Sequence, residues 1–413
     1  MDNRRNLYLL CVSCVMLIIQ LFLFKPITSA TNKIPIVAIS PFLEDKTPTK
    51  ADLNNLIDCG FNVGLLYADK DKCDLLDSLI GEKDFKLIIT NLSLLDQNYK
   101  KFISELSENQ KILGWRLVDE PRYDKLSFYK EAYQRLKKED PERLIYINLV
   151  GALMKQFCGP SPTYQAYLDT IQEYFNPEIW SYDLYPFSIK NDSINVSYDI
   201  FYYDLESFKN KSQQTGKPFW AYCQSMAFRN KVVERPAATE TFLRFEAFNA
   251  LAYGAQGIVY WTYAQRESAS DETYFSALLN LNGEKSPAWY AAQKVNSEIK
   301  KYNDIFVNSK VIDIKHTGKT HFTETTQLKG SFGPFKKVKT GEEGVLLSHF
   351  SSMEGEFIII INHDVRNSQT IRLFPYKNRE LIPLSDNKMN NLNKKSSIEI
   401  SLDAGGYIIF KID

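Results

Sequence analysis

The sequence predicts an α/β fold, a closed (β/α)8 barrel followed by a small C-terminal antiparallel β-sandwich. Three observations carry this. Short, near-continuous apolar runs alternate with amphipathic helical stretches across residues 34–300, which is the pattern of parallel strands covered on both faces. Eight such units fit in that span, the size of a closed eightfold barrel. After Tyr302 the texture changes to short β-type runs separated by Asn, Asp, Ser, Gly and Lys clusters, without a helical period. A doubly wound open sheet is the alternative, but no glycine-rich phosphate loop follows the first strand.

The strands are read in order as Ile34–Ile39, Asn62–Tyr67, Lys86–Thr90, Ile112–Val118, Leu144–Val150, Glu178–Tyr185, Pro218–Cys223 and Gly257–Tyr263. Helical spacing near 3.6 appears between them, clearest over Asp124–Lys138 and Thr239–Tyr253. The sandwich strands are Glu343–Phe350, Glu356–Asn362, Gln369–Phe374, Ser397–Leu402 and Gly406–Ile412. The chain thus divides into residues 1–30, a barrel over 31–303 and a β-sandwich over 304–413.

Residues 1–30 read as an export signal. Arg4 and Arg5 precede an apolar run from Leu7 to Phe24, and Thr28, Ser29 and Ala30 offer small residues for cleavage. The run is long for a signal peptide, so an uncleaved anchor is the competing reading, and membrane contact is expected through this segment alone. The expected location is periplasmic, cell-surface or extracellular. Beyond it lie Cys59, Cys73, Cys158 and Cys223, without the spacing of a metal knuckle. In an exported protein Cys59 and Cys73 are the pair able to join, whereas Cys223 sits in an apolar strand as a buried thiol. Asn91, Asn191, Asn195 and Asn210 fit the N-glycosylation pattern, which has meaning only in a eukaryotic source.

Fifty basic residues balance fifty acidic ones, which gives no electrostatic case for nucleic acid or an acidic membrane surface. The 24 Tyr, 26 Phe and 5 Trp mildly favour an aromatic-lined cleft. The four histidines, His316, His321, His349 and His363, all follow the barrel. A barrel without histidine has to work with carboxylates, tyrosines, amides and arginines. Glycosyl transfer to water needs only carboxylates: one protonates the leaving oxygen and another attacks or activates water. No nucleotide loop, zinc spacing or calcium loop is present, so no cofactor is expected.

The stretch Lys111-Ile-Leu-Gly-Trp-Arg-Leu-Val-Asp-Glu-Pro121 anchors the site reading. It is a strand that stops in two carboxylates and a proline, and the proline is expected to hold Glu120 in extended geometry. Strand ends elsewhere contribute Asn91, Asn148, Asp183, Tyr185, Gln224, Trp261 and Tyr263, with Trp115, Arg116 and Trp220 on the strands themselves. Each has a bland reading as a cap, a turn residue or core, yet together they fall where a barrel keeps its active face.

Three motifs carry a resemblance: Gly114-Trp-Arg-Leu-Val-Asp-Glu-Pro121, Tyr182-Asp-Leu-Tyr-Pro186, and Arg244 to Ile258 followed by Tyr260-Trp-Thr-Tyr263. In these the chain resembles TIM-barrel glycoside hydrolases of the broad retaining clan that includes families 5 and 42, and exported bacterial glycosidase-like proteins in particular. The resemblance implies that Glu120, ending the fourth strand, is the acid/base, with Asp119 replacing the usual Asn. It also implies a glutamate nucleophile ending the seventh strand, where this chain has Gln224. Asp183 is then the nearest candidate partner, with Asp119 a further one and Glu246 a weaker one inside a helix. Across a barrel mouth the Glu120–Asp183 separation is expected at ~6.5–9.5 Å for inversion or ~5–5.5 Å for retention. The implied function is hydrolysis of an oligo- or polysaccharide. A carbohydrate-binding protein with a degenerate barrel is the alternative, and a surface scaffold the third.

Overall fold

A computed structural model describes residues 32–319, 327–377, 379–385, 389–390 and 397–413. Residues 1–30, expected to be an export signal, and His321 lie outside the described residues. Eight parallel strands close into a barrel: β1 Ile36–Ile39, β2 Val63–Tyr67, β3 Lys86–Thr90, β4 Ile112–Asp119, β5 Leu144–Val150, β6 Trp180–Asp183, β7 Phe219–Gln224 and β8 Ile258–Trp261. Closure pairs Ile36 with Ile258 and Ala38 with Tyr260.

Alternation along each strand builds two cores. Val37, Val63, Leu65, Ile88, Tyr146, Trp220 and Val259 fill the barrel interior. Their neighbours Ala38, Leu87, Ile89, Ile145, Ala221 and Tyr260 face outward under the helices. Burial on both faces is why the strands read as unbroken apolar runs. At Gly114 an added Cβ would stand 2.4 Å from the Leu144 carbonyl oxygen, so only glycine lets β4 run this close to β5.

The covering helices are α1 Lys50–Asp58, α2 Lys70–Ile80, α3 Tyr99–Glu105, α4 Leu126–Glu139, α5 Tyr164–Phe175, α6 Tyr198–Thr215, α7 Glu240–Ala252 and α8 Pro287–Lys301. Thr49, Asp69, Thr163, Thr239 and Ser286 cap α1, α2, α5, α7 and α8 by accepting from backbone N–H groups. Each such cap stabilises its helix by about 1 kcal/mol. Two excursions rise over the mouth of the barrel. One is the hairpin Phe187–Lys190/Ser193–Val196, and the other a small sheet of Ala227–Asn230, Glu234–Arg235 and Glu272–Ser276.

The C-terminal region has a five-stranded antiparallel sheet and a four-stranded one. Its strands are β9 Lys310–His316, β10 Phe335–Lys339, β11 Val345–Ser352, β12 Gly355–Asn362, β13 Gln369–Pro375, β14 Leu381–Pro383, β15 Met389–Asn390, β16 Ile398–Leu402 and β17 Tyr407–Ile412. Val345, Leu347, Ile358, Ile360, Ile371, Ile400 and Phe410 fill the space between the sheets. The outer face of the larger sheet, with Leu346, Phe350, Phe357 and Ile409, joins the helix-side core of the barrel. Tyr407 stacks on Phe248 of α7 at 3.9 Å, and Ser348 Oγ donates to the Ala252 carbonyl at 2.6 Å. The core therefore runs unbroken across the boundary suggested by the sequence at 303/304.

Among the described residues of the C-terminal region, four strands went unread in the sequence, β9, β10, β14 and β15, as did the strands of the two excursions over the mouth. β9 carries Lys and Asp and β10 carries Lys among their apolar residues, and β14 and β15 are three and two residues long. The expected Cys59–Cys73 pairing is overturned: both are free, buried thiols, at the end of α1 and within α2, and Cys158 and the strand residue Cys223 are free and buried too. Burial raises the Cys73 thiol to about 12 and pushes the Cys59 thiol well up. Among the described residues, no helix is long and apolar enough to cross a membrane.

Candidate active site

The carboxyl ends of β4, β5 and β6 build the centre of the mouth. Register shifts by one residue between Arg116 and Val118 of β4, a bulge that turns Asp119 to pair with Asn148. Glu120 then adopts φ +47°, and its N–H donates to the Asn148 carbonyl at 2.9 Å. The expectation that Pro121 holds Glu120 extended is thereby corrected. The bulge overrides the proline, at a cost of roughly 1–2 kcal/mol for a left-handed residue with a Cβ.

Asn148, 1% exposed, is the hub. Its Nδ2 donates to Asp119 Oδ1 at 3.1 Å and to Asp183 Oδ1 at 2.9 Å. Its Oδ1 accepts from Ser181 Oγ at 3.1 Å, and Ser181 in turn bonds Tyr146 OH at 2.6 Å. Arg116 Nη1 donates to Asp119 Oδ2 at 3.3 Å, while its Nε is fixed by Thr90 Oγ1 at 2.9 Å. Around this frame the Glu120 and Asp183 carboxyls are in hydrogen-bond contact. The separation is shorter than either of the spacings expected from the sequence.

Burial, and then the charge of Asp119, raises the Glu120 carboxyl above its ordinary range. Burial pushes Asp183 well up, reinforced by the charges of Glu120 and Asp119. Two carboxyls in contact in a desolvated site hold a proton between them. The centre therefore contains a proton source at a pH where an isolated carboxyl has none.

An aromatic wall stands beside it. Tyr185 and Trp261 stack with centroids 5.6 Å apart, and Phe228 meets Trp261 edge-on at 5.3 Å. Trp261 and Asp119 line a cleft of about 410 Å³ together with Ile39, Phe42, Tyr67 and Arg116. Arg235 anchors the segment below Tyr185 by donating to the carbonyl oxygens of Tyr185 and Phe187. Tyr67, Phe42 and Arg235 were missed in the sequence. Tyr67 alone had a signal, since it ends the second strand on the same face as Val63 and Leu65.

Other expected contacts fall away from the cleft. Trp115 faces the helices, fully buried, with Nε1 donating to Asp140 Oδ2 at 2.8 Å. Trp220 lies inside the barrel against Tyr146, below the cleft. Tyr263 is buried behind β8 and accepts from Trp289 Nε1 at 3.0 Å. Asn91 caps the short helix Leu92–Leu94 and donates to the Ala68 carbonyl. These four are corrected from substrate contacts to core and capping residues. Gln224, 3% exposed, ends β7 as expected, and its Nε2 is held by the Pro236 carbonyl at 2.7 Å. Glu246 is 1% exposed on α7, with both carboxyl oxygens accepting from the Gln224 N–H. Among the described residues, no group of three or more His, Cys, Asp or Glu is arranged to hold a metal ion.

Residues 102–302 match the Glyco_hydro_42 family model, described as beta-galactosidase. Among solved structures, the beta-galactosidase of Bacillus circulans sp. alkalophilus superposes with a TM-score of 0.62 at 9% identity, over 94% of this chain and 100% of that one. A catalytic mutant of a GH42 beta-galactosidase from G. stearothermophilus gives 0.61 at 9% identity, over 93% and 99% of the two chains. At such identity the likeness is one of fold, barrel and trailing β-structure alike. No curated protein sequence matches the chain.

Proposed function

We propose that this chain, a TIM-barrel glycoside hydrolase, cleaves a glycosidic bond of an oligo- or polysaccharide with Glu120 as its general acid and base. One observation supports the assignment above the rest: Glu120 directly follows β4 at the barrel mouth in hydrogen-bond contact with Asp183, beside the stacked Tyr185 and Trp261. Protonated, Glu120 donates to the departing oxygen; ionised, it takes a proton from the incoming water. Sugar rings present apolar C–H faces that suit the Tyr185–Trp261 wall, and Arg116 and Asp119 offer hydrogen bonds to hydroxyl groups.

The test is a screen of 4-nitrophenyl glycosides and polysaccharides for product release, starting from the β-galactoside because of the family match over residues 102–302. Glu120→Gln should lower turnover at least ~10²-fold while leaving saccharide binding in place. Turnover of the variant at the wild-type rate would remove Glu120 from the chemistry. Binding without turnover in the wild type would instead favour a carbohydrate-binding role. We also propose that residues 1–30 direct export. Fractionation of cells expressing the full chain tests this, and a cytoplasmic full-length product would refute it.

A further inference from the structure

The cleft of about 410 Å³ extends from Asp119 and Trp261 to the ends of β1 and β2. Part of its wall is apolar and closed, with Ile39, Phe42 and Leu65 all buried. The rest of the lining is open. Tyr67 ends β2 and is 55% exposed. It alternates in step with Val63 and Leu65, which point into the barrel, so its ring belongs to the mouth and not to the helix-side core.

Five charged side chains line the same cleft, the cations Lys72, Arg116 and Arg266 against the carboxylates Glu44 and Asp119. Arg116 is committed, with Nε on Thr90 and Nη1 on Asp119. Arg266 meets Glu44 at 3.5 Å through Nε, and both side chains are exposed. An exposed pair of that length is weak and gives way to a better partner. Lys72 lies half-buried in the first turn of α2, and among the described residues its ammonium has no ion-pair partner. The nearby acids of its helix are engaged elsewhere: Asp69 accepts from the Lys72 backbone N–H, and Asp74 pairs with Lys70. A cleft with one unpaired cation and a second loosely held one attracts an anion. The proton held between Glu120 and Asp183 also removes a negative charge that would repel it.

We infer that the saccharide taken into this cleft is anionic, carrying a carboxylate or sulfate ester on a sugar unit that lies against Tyr67, where Lys72 and Arg266 bind the charge. The inference rests on the glycosidase reading and adds the charge of the substrate to it. The Tyr67 ring receives the apolar face of the unit. Lys72 supplies a compact point charge, and the Nη groups of Arg266 supply a planar fork for two oxygens. Glu44 competes with the ligand for that fork. A neutral saccharide gains the aromatic contact alone.

The experiment is calorimetric titration of the full chain with two matched pairs of oligosaccharides. One pair is oligomannuronate and its methyl ester, and the other a sulfated galactan oligosaccharide and its desulfated form. In at least one pair the charged member should bind about tenfold or more tightly than its neutral partner, the scale of one hydrogen bond to a charged group. The pair that shows the difference separates carboxylate from sulfate. Raising the salt from roughly 0.05 M to 0.5 M should narrow the gap, because the site is open to screening. Lys72→Met keeps the apolar stem and removes the charge, and should bring the charged member down toward the affinity of its neutral partner. Glu44→Gln releases Arg266 and should widen the gap. Equal affinity or no binding within both pairs, or a preference that Lys72→Met leaves intact, would overturn the inference. Cleavage of a neutral saccharide would then leave the glycosidase reading standing. Preference for a charged member, lost in Lys72→Met, without cleavage of any saccharide would support the anionic site and overturn the glycosidase reading.

Discussion

Asn148 bridges two carboxyl groups through one nitrogen: its Nδ2 donates to Asp119 Oδ1 at 3.1 Å and to Asp183 Oδ1 at 2.9 Å. An amide nitrogen has two hydrogens, so the bridge exhausts it. The side chain is buried, and Ser181 fixes its oxygen, so the amide cannot turn without breaking three bonds. It therefore sets the relative position of Asp119 on β4 and Asp183 on β6 from the strand between them.

Replacing Asn148 tests that role. Asn148→Ala leaves the buried Ser181 hydroxyl and two carboxyls short of a partner, a loss of about 1–3 kcal/mol. Its melting temperature should fall, and turnover should fall further than the stability loss accounts for. Chemical denaturation and kinetics on one preparation separate the two. Unchanged kcat in a destabilised variant would reduce Asn148 to a structural bond.

Much of this centre was legible in the sequence, because acids and amides that end apolar strands have nowhere to go but the barrel mouth. Glu120, Asp119, Asn148 and Asp183 were found in that way and do meet. What stayed hidden was the facing of residues within strands. A strand buried on both faces shows no polar alternation, so Trp115 and Trp220 read as cleft aromatics when one faces the helices and the other the barrel interior. The bulge at Arg116–Val118 was hidden too, since any apolar residue can occupy it. The left-handed Glu120 that follows this bulge was hidden with it. The sandwich strands β11, β12, β13, β16 and β17 were read from their apolar runs, and β9 was lost among its lysines.

Trp261 should behave as a binding residue. It is partly exposed, lines the cleft and stacks on Tyr185, while its strand neighbour Tyr260 is fully buried. Trp261→Ala removes ring surface from the cleft wall rather than from the core. Saccharide affinity should drop by about tenfold or more, the scale of one aromatic contact of 1–1.5 kcal/mol. Calorimetric titration beside a thermal melt checks this. Unchanged affinity with a collapsed melting temperature would return Trp261 to the core.

The alkaline limb of activity should respond to Asp119. Burial is the first cause of the raised Glu120 carboxyl and the negative charge of Asp119 the second. Asp119→Asn removes that charge, so Glu120 loses its proton at lower pH. The alkaline limb of kcat/KM should then move toward acid, whatever happens to the maximal rate. A limb that stays in place would mean that another group supplies the proton.

The last prediction concerns the seam between barrel and sandwich. His316 of β9 and His363, which follows β12, face each other with Nδ1 and Nε2 3.2 Å apart, and His316 Nε2 meets Tyr253 OH at 2.9 Å. Burial lowers His363 to about 4 and pulls His316 well below the ordinary range, with the charges of His363, Lys209 and Lys315 acting in the same direction on His316. In the unfolded chain both titrate near 6.5. Between those values the unfolded chain binds more protons than the folded one, so stability rises with pH. The contribution is complete above about pH 6.5 and is lost as pH falls toward 4, on the order of 3 kcal/mol for His363 alone. Buried carboxyls such as Asp183 and Glu246, raised in the folded state, act in the opposite sense. The readout is therefore a difference between proteins. From pH 7 to pH 4 the wild type should lose about 2–3 kcal/mol more than His363→Asn, measured by denaturant unfolding at each pH. Parallel losses in the two proteins would show that the histidine pair does not govern the acid limit of the fold.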